Sequence, residues 1–259
     1  MTLPTSGPDP IDHRPLHQRI AADLREEIMN GDLAPGTNLP STTHLRTRFE
    51  ASAATIQKAL HLLKEERLVV GRPGSAVTVR EKRHRVVRPA GSLTSATGGG
   101  AFPWLAETAR HGGRASVTLL DVRPAPAPAD VAAALGLPGG TRVHVRSQLL
   151  TLDDEPVELV TSYYPSEIAR DTPLAQAKKI RGGTPTLLTE LGFPPRRSVD
   201  RVSARVPTQE QYARLRLPSD LPVLRTLRTV YSDDDRPVEA TVMVKAGHLY
   251  ELQYEFAPE

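Results

Sequence analysis

The sequence predicts an α+β protein of two domains, and three observations carry that expectation. Between residues 16 and 63 apolar residues fall on helical stripes, and two short β-rich runs follow. A Gly/Ser/Thr tract, SLTSATGGGA at 92–101, then interrupts all periodicity. Beyond that tract one order of turn and strand signals occurs twice.

In the first segment Leu16, Ile20, Leu24 and Ile28 recur every fourth residue and share one helical stripe. Pro15 opens that helix and Gly31 stops it. Pro35-Gly36 is a turn, and Ser41 is an N-cap candidate ahead of Leu45 and Phe49. Ser52 opens a third helix whose Ile56, Ala59, Leu60 and Leu63 face inward. Leu68-Val69-Val70 and Val77-Thr78-Val79 then flank a turn around Arg72, from Gly71 to Gly74, and read as a hairpin. Helix, helix, short turn, helix and two-stranded ribbon is the order of a winged helix-turn-helix.

The second segment repeats itself. Leu137-Pro138-Gly139-Gly140-Thr141-Arg142-Val143 is echoed by Leu217-Pro218-Ser219-Asp220-Leu221-Pro222-Val223, and Asp153-Asp154-Glu155-Pro156-Val157-Glu158 by Asp234-Asp235-Arg236-Pro237-Val238-Glu239. Each copy reads as helix, Leu-Pro turn, strand, acidic turn, strand, with helices near 128–135 and 208–215. Asp-rich turns between alternating runs are hairpin signals, so an antiparallel sheet with packed helices is expected. Between the copies, 166–191 is expected to be helical at its ends, with a flexible break at Arg181-Gly182-Gly183.

Of the 259 residues 39% are hydrophobic and 24% charged, enough apolar material for a core in a soluble chain. No apolar run reaches bilayer-spanning length, and Met1–Pro10 lacks the basic and apolar regions of a signal peptide, so a cytoplasmic protein is expected. With no cysteine, disulfides, thiolate zinc sites and thiol nucleophiles are excluded. Residues 1–90 hold 14 Lys/Arg against 10 Asp/Glu, whereas the remainder is nearly balanced. A basic module beside a near-neutral one suits a polyanion partner for the first; a solvated linker carrying chance charge is the alternative.

A helix-turn-helix offers the N-terminal part of its second helix to the major groove. Ser41, Thr43, Arg46, Ser52, Ala53, Thr55, Gln57, Lys58, Arg72 and Gly74 are the candidate DNA contacts. Gln57 can pair with an adenine edge and the alanine methyls with thymine methyls, while Lys58, Arg46, Arg48 and Arg72 are placed to meet phosphates. In the second domain alternation puts Glu158, Val160, Ser162 and Tyr164 on one strand face, Glu239, Thr241 and Met243 on another, and His144, Arg146 and Gln148 on a third. Polar groups converging on a partly apolar cavity make a small-ligand site. Arg146, Gln148, Glu158, Ser162, Tyr164, Glu239, Thr241 and Tyr250 are its candidate lining. An ordinary wet sheet face is the alternative.

Residues 15–79 resemble the N-terminal domain of the GntR family of bacterial regulators. The resemblance rests on Pro15-Leu16, Gln18, Ile20-Ala21, Leu24-Arg25, Ile28, Gly31-Asp32-Leu33, Pro35-Gly36, Leu39-Pro40-Ser41, Leu45, Phe49, Ser52, Thr55, Ala59-Leu60, Leu63, Leu68-Val69, Arg72 and Gly74. The second domain resembles the UTRA effector domain of the HutC subfamily, whose fold is chorismate lyase-like, through Pro156-Val157, Thr161-Ser162-Tyr163-Tyr164-Pro165, Glu190-Leu191-Gly192, Leu217-Pro218, Pro222-Val223-Leu224 and Arg236-Pro237-Val238-Glu239. The resemblance implies a disordered N-terminus at 1–13, a DNA-binding domain at 14–80, a basic then Gly/Ser-rich linker at 81–101, and a UTRA effector-binding and dimerisation domain at 102–259. It also implies a ligand-switched repressor, homodimeric on an inverted-repeat DNA operator and associated with the nucleoid when bound.

The chain departs from the family pattern where DNA is read. Arginines usual in the family are replaced by Thr43, Ala53 and Gln57; Glu50 stands where a small residue is usual, and Ala76 replaces the second wing glycine. Losing guanine-reading arginines removes contacts of about 1–3 kcal/mol each, so a distinct operator is expected. In the effector domain Arg146 remains where the family uses arginines for phosphates, but Gln148 and Leu150 lie beyond it, favouring a neutral or singly charged effector. Two alternatives stay open: a ligand-binding module with a degenerate reader, and an enzyme of chorismate lyase-like fold. Against an enzyme, there is no His/Asp/Ser constellation, metal-ligand spacing or phosphate-cradling loop, so no cofactor is expected.

Overall fold

The computed structural model describes residues 12–71, 76–81, 113–218 and 221–255, with 85–87 as backbone; Arg72, Gly74, the first 11 residues and 88–112 lie outside the described residues. The chain divides into two compact units, Met1–Arg83 and His84–Glu259.

In the first unit α1 (Leu16–Asn30) buries Ile20, Ala21, Leu24 and Ile28 and ends at Gly31, whose φ of 93° is the left-handed stop the sequence promised. The short α2 (Thr42–Arg48) buries Leu45, and α3 (Ala53–Glu65) buries Ile56, Ala59, Leu60 and Leu63. Both α1 and α2 pack against α3. Ser41 and Ser52 cap as expected, their hydroxyls accepting from the backbone N–H of His44 and Thr55 at 3.2 and 3.1 Å. The ribbon pairs β1 (Val69–Val70) antiparallel with β2 (Thr78–Val79). A third backbone run joins it: the Gly36 N–H donates to Val79 O, the Val79 N–H to Thr37 O, and the Leu39 N–H to Val77 O. The α1–α3 pair is also clamped by charge. Arg25 grips Glu66 through two hydrogen bonds of 2.8 and 2.7 Å, with Glu66 only 2% exposed.

The second unit is a six-stranded antiparallel sheet in the order β4-β5-β6-β9-β8-β7. Its first half is β4 (Ala115–Pro126), α4 (Ala129–Ala134), β5 (Arg142–Leu152) and β6 (Glu155–Pro165). Its second half is β7 (Arg197–Arg205), α7 (Gln209–Arg214), β8 (Val223–Tyr231) and β9 (Pro237–Ala246). The duplicated sequence is thus a duplicated strand–helix–hairpin. Its copies join where β6 and β9 pair, Glu158 opposite Lys245 and Ser162 opposite Thr241. Each copy has one strand more than the sequence reading gave it, β4 and β7, and these are the two edges.

The helices α4 and α7 cover one face. There Val131, Ala132 and Leu135 bury against Val143, Val145, Leu227 and Ala240, and Leu215 and Leu217 against Leu159, Val223 and Val244. The other face is partly covered by the excursion between the copies: α5 (Ser166–Ala169), a 3-10 turn at Pro173–Ala175 and α6 (Gly183–Glu190). It packs Ile168, Leu174, Leu187 and Leu188 around Tyr164 and Val230. The expected flexible break is instead a buried turn. Gly182 and Gly183 are buried with φ of 73° and 82°, and they start α6. Residues Arg85–Val87, read as linker, form β3, parallel to β10 (Tyr250–Leu252); three residues are too few for alternation to announce a strand.

Candidate functional sites

On the first unit the outward surface of α2 and α3 carries the candidate DNA contacts. Thr43, Arg46, Ser52, Ala53, Gln57 and Lys58 are exposed, and Thr55 is half-buried beneath its hydroxyl contact with Ser52 at 2.9 Å. Neither helix has an acidic residue in its first turn, and a helix N-terminus with free backbone N–H groups favours an anion. The Gln57 amide lies 3.5 Å from the Thr42 hydroxyl, a contact weak enough to yield to a base edge. Arg48 is exposed like Arg46 and Lys58, but its guanidinium is already engaged. It pairs with Glu27 of α1 and stacks on the Phe49 ring at 4.7 Å, so it binds α2 to α1. Glu50, at the turn before α3, is held left-handed with φ of 48°.

On the second unit the register organises the face opposite α4 and α7 into transverse rows. One row runs Val122, Arg146, Ser162, Thr241, Arg228 and Asp200, crossing all six strands. At its centre the hydroxyls of Ser162 and Thr241 lie 2.7 Å apart, and both donate to Glu239, at 3.1 and 2.6 Å. Glu239 is 9% exposed. Burial raises its pKa, opposed by hydrogen bonds from Thr241, Ser162 and Tyr164 and by the Arg228 charge. Tyr164 itself is fully enclosed, and burial pushes its phenol pKa well up. The next row holds Gln148, Val160, Met243 and Thr226; the first three are half-buried. Beyond it Glu158 pairs with Lys245, both buried, and the Lys245 ammonium sits 5.8 Å from the centre of the Tyr250 ring.

The sheet therefore brings Glu158, Ser162, Tyr164, Glu239 and Thr241 onto one face, with Gln148 beside them and Tyr250 at the Lys245 end. Arg146 is on that face too, but its Nη1 donors and one Nη2 donor are engaged by the chain itself. Nη1 donates to the carbonyls of Leu174 at 2.9 Å and Gln176 at 2.7 Å, and Nη2 to that of Lys178 at 2.7 Å. The residue is 3% exposed, and burial lowers its pKa. Arg146 thus fastens the 173–178 segment to the sheet. Three charged residues of the face escaped the sequence reading: Arg228, Asp200 and Lys245. Asp200 holds Arg228 through two 2.7 Å hydrogen bonds. The repeat did carry the signal, because its 80-residue offset between Leu137 and Leu217 carries Gln148 onto Arg228. Among the described residues no three His, Cys, Asp or Glu side chains are grouped to hold a metal ion, and no helix is long and apolar enough to cross a membrane.

Two family models match the chain: bacterial regulatory proteins of the gntR family over residues 16–79, and the UTRA domain over residues 110–251. An uncharacterised HTH-type transcriptional regulator of Streptomyces coelicolor is 29% identical over 249 residues, 93% of each chain. The mannosyl-D-glycerate transport/metabolism system repressor MngR of Escherichia coli is 39% identical over 71 residues, 27% of this chain and 30% of that one. Among solved structures, one described as a GntR-family transcriptional regulator is 26% identical, with a TM-score of 0.60 over 95% of this chain and 99% of the other.

Proposed function

Because the chain belongs to the gntR family of bacterial regulatory proteins and carries a UTRA domain, we propose that this transcription regulator is a cytoplasmic repressor. It grips an inverted-repeat operator as a homodimer and is switched by a small molecule on the C-terminal sheet. A single winged helix reads one half-site, so a symmetric operator calls for two copies. The repressor reading is supported by the MngR relative, itself the repressor of a transport and metabolism system. The observation that carries the proposal is the exposed, capped N-terminal turn of α3, with no acid in it and with Gln57 and Lys58 outermost.

Base reading falls to Gln57, with Ala53 meeting a thymine methyl, while Thr43, Arg46 and Lys58 meet phosphates and Ser52 and Thr55 set the helix start. Arg72 and Gly74, which lie outside the described residues, complete the proposed contact set. The effector lies on the rows containing Gln148, Glu158, Ser162, Glu239 and Thr241, with Tyr250 at their end; Tyr164, fully enclosed, backs Glu239 from the core, and Arg146 acts by holding the 173–178 segment. No catalytic step is assigned to these groups.

A gel-shift titration with DNA flanking the gene tests the reading. Specific retardation, weakening steeply between 50 and 200 mM salt as counterion release requires, is expected. Lys58→Ala is expected to lower the salt slope by about one, and Gln57→Ala to relax preference at one base pair. Absence of any shift at low salt overturns the DNA-reading proposal.

A further inference from the structure

Two of the cations on the effector face are matched by carboxylates of the same face, and this constrains the ligand. Arg228 is held by Asp200 at 2.7 Å through two donors, with side chains 11% and 13% exposed. Lys245 is paired with Glu158. Arg146 is saturated on Nη1 by backbone carbonyls. A phosphate dianion would have to prise Arg228 from Asp200 and leave that carboxylate buried without a partner, with Glu239 close by; stranding a buried charge is strongly unfavourable. What the face leaves for a ligand is two rotatable hydroxyls, the buried Glu239 carboxyl that they hold, and an amide. The Gln148 side chain makes no hydrogen bond among the described residues. Val160 and Met243, half-buried, provide an apolar floor beside them.

We infer that the effector is an uncharged, hydroxyl-bearing small molecule with one apolar flank. Its hydroxyls donate to Glu239, exchange hydrogen bonds with Ser162 and Thr241 and meet the Gln148 amide, and its flank lies on Val160 and Met243. Hydroxyls suit this row because Ser162 and Thr241 can each donate or accept by rotating. The inference rests on the reading of this sheet as the effector site.

The test uses the full-length protein and a small-molecule extract of cells that carry the gene, separated on anion- and cation-exchange resins. Each fraction is scored for a rise in melting temperature and a change in DNA retardation. Both responses are expected in the fraction that neither resin retains. Ser162→Ala and Gln148→Ala are each expected to require about tenfold more of that fraction, while a melting temperature for the unliganded variant near that of the parent shows that it folds. Responses in either retained fraction overturn the uncharged class and leave the effector reading standing. Responses in no fraction, with DNA binding intact, overturn the effector reading itself.

Discussion

Replacing Arg146 by methionine separates two roles that the sequence alone cannot tell apart. As a ligand contact its loss costs effector affinity and little stability; as the fastener of the 173–178 segment its loss costs stability first. The structure permits a magnitude. Three carbonyls, of Leu174, Gln176 and Lys178, lose short charge-assisted hydrogen bonds, and Leu174 is buried. A buried polar group left without a partner costs about 1–3 kcal/mol. The Gln176 and Lys178 side chains are exposed, so water can reach that part of the segment and restore much of what is lost there. Methionine in turn removes a desolvated cation. The balance is a loss of about 2–3 kcal/mol, which at about 2–4 °C per kcal/mol for a domain of this size lowers the effector domain's melting transition by about 4–12 °C. Calorimetry on the full-length protein, following the two domains' transitions, measures it. Arg146→Lys, which keeps the charge but not the planar fork, is expected to recover only part of the loss. An Arg146→Met protein that melts with the parent yet no longer answers the effector would refute the fastening role.

The buried Glu158–Lys245 pair gives a second test: Glu158→Gln, which leaves the ammonium alone, is expected to cost about 3–5 kcal/mol in denaturant unfolding, whereas the joint change Glu158→Leu with Lys245→Met is expected to be close to neutral. Glu239 is raised by burial above the ordinary carboxylate range, so its contribution is present below that range and is lost as pH rises through the folded-state value. Glu239→Gln should therefore flatten the decline in effector-domain stability on going from acid to neutral pH, and an unchanged pH profile would contradict the burial argument. Glu50 occupies the left-handed region at φ 48°, where a side chain is disfavoured; Glu50→Gly is expected to raise the first domain's stability by about 0.5–1 kcal/mol, measured by thermal unfolding.

The DNA-binding unit was almost fully legible because its signals are local. Helical stripes, two serine caps and Gly31 each act within a few residues, and the structure uses them as read. What stayed hidden was the charge clamp. Arg25 and Glu66 are 41 positions apart, and Arg48 looked like one more phosphate ligand until α1 brought Glu27 to it. Nothing in a sequence separates an exposed arginine from one pinned by a distant carboxylate. In the second unit the two hairpins were legible, but the two edge strands were not, and the reason is physical. An edge strand has one unpaired side and must resist pairing with other chains. β4 does so with Pro124 and Pro126, and β7 with Arg197, Arg201 and Arg205. Those residues erase the alternation that announces a central strand.

The sheet face opposite α4 and α7 shows how far alternation reaches. It placed Glu158, Ser162, Glu239 and Thr241 on two polar strand faces, and pairing of β6 with β9 made those faces one. It could not tell that Arg146, in the same row, points its donors at carbonyls of a segment some 30 residues later, because that segment has no regular period. Nor did it find Arg228, although the repeat already contained it. Gln148 and Arg228 are repeat counterparts, so a neutral amide in one half corresponds to a carboxylate-bound guanidinium in the other. The duplicated fold supplies two equivalent places for a polar anchor, and this chain has made them chemically unlike. Asp200 completes the difference by neutralising the charged one, which leaves the hydroxyl pair between them as the point where a ligand meets the least electrostatic resistance.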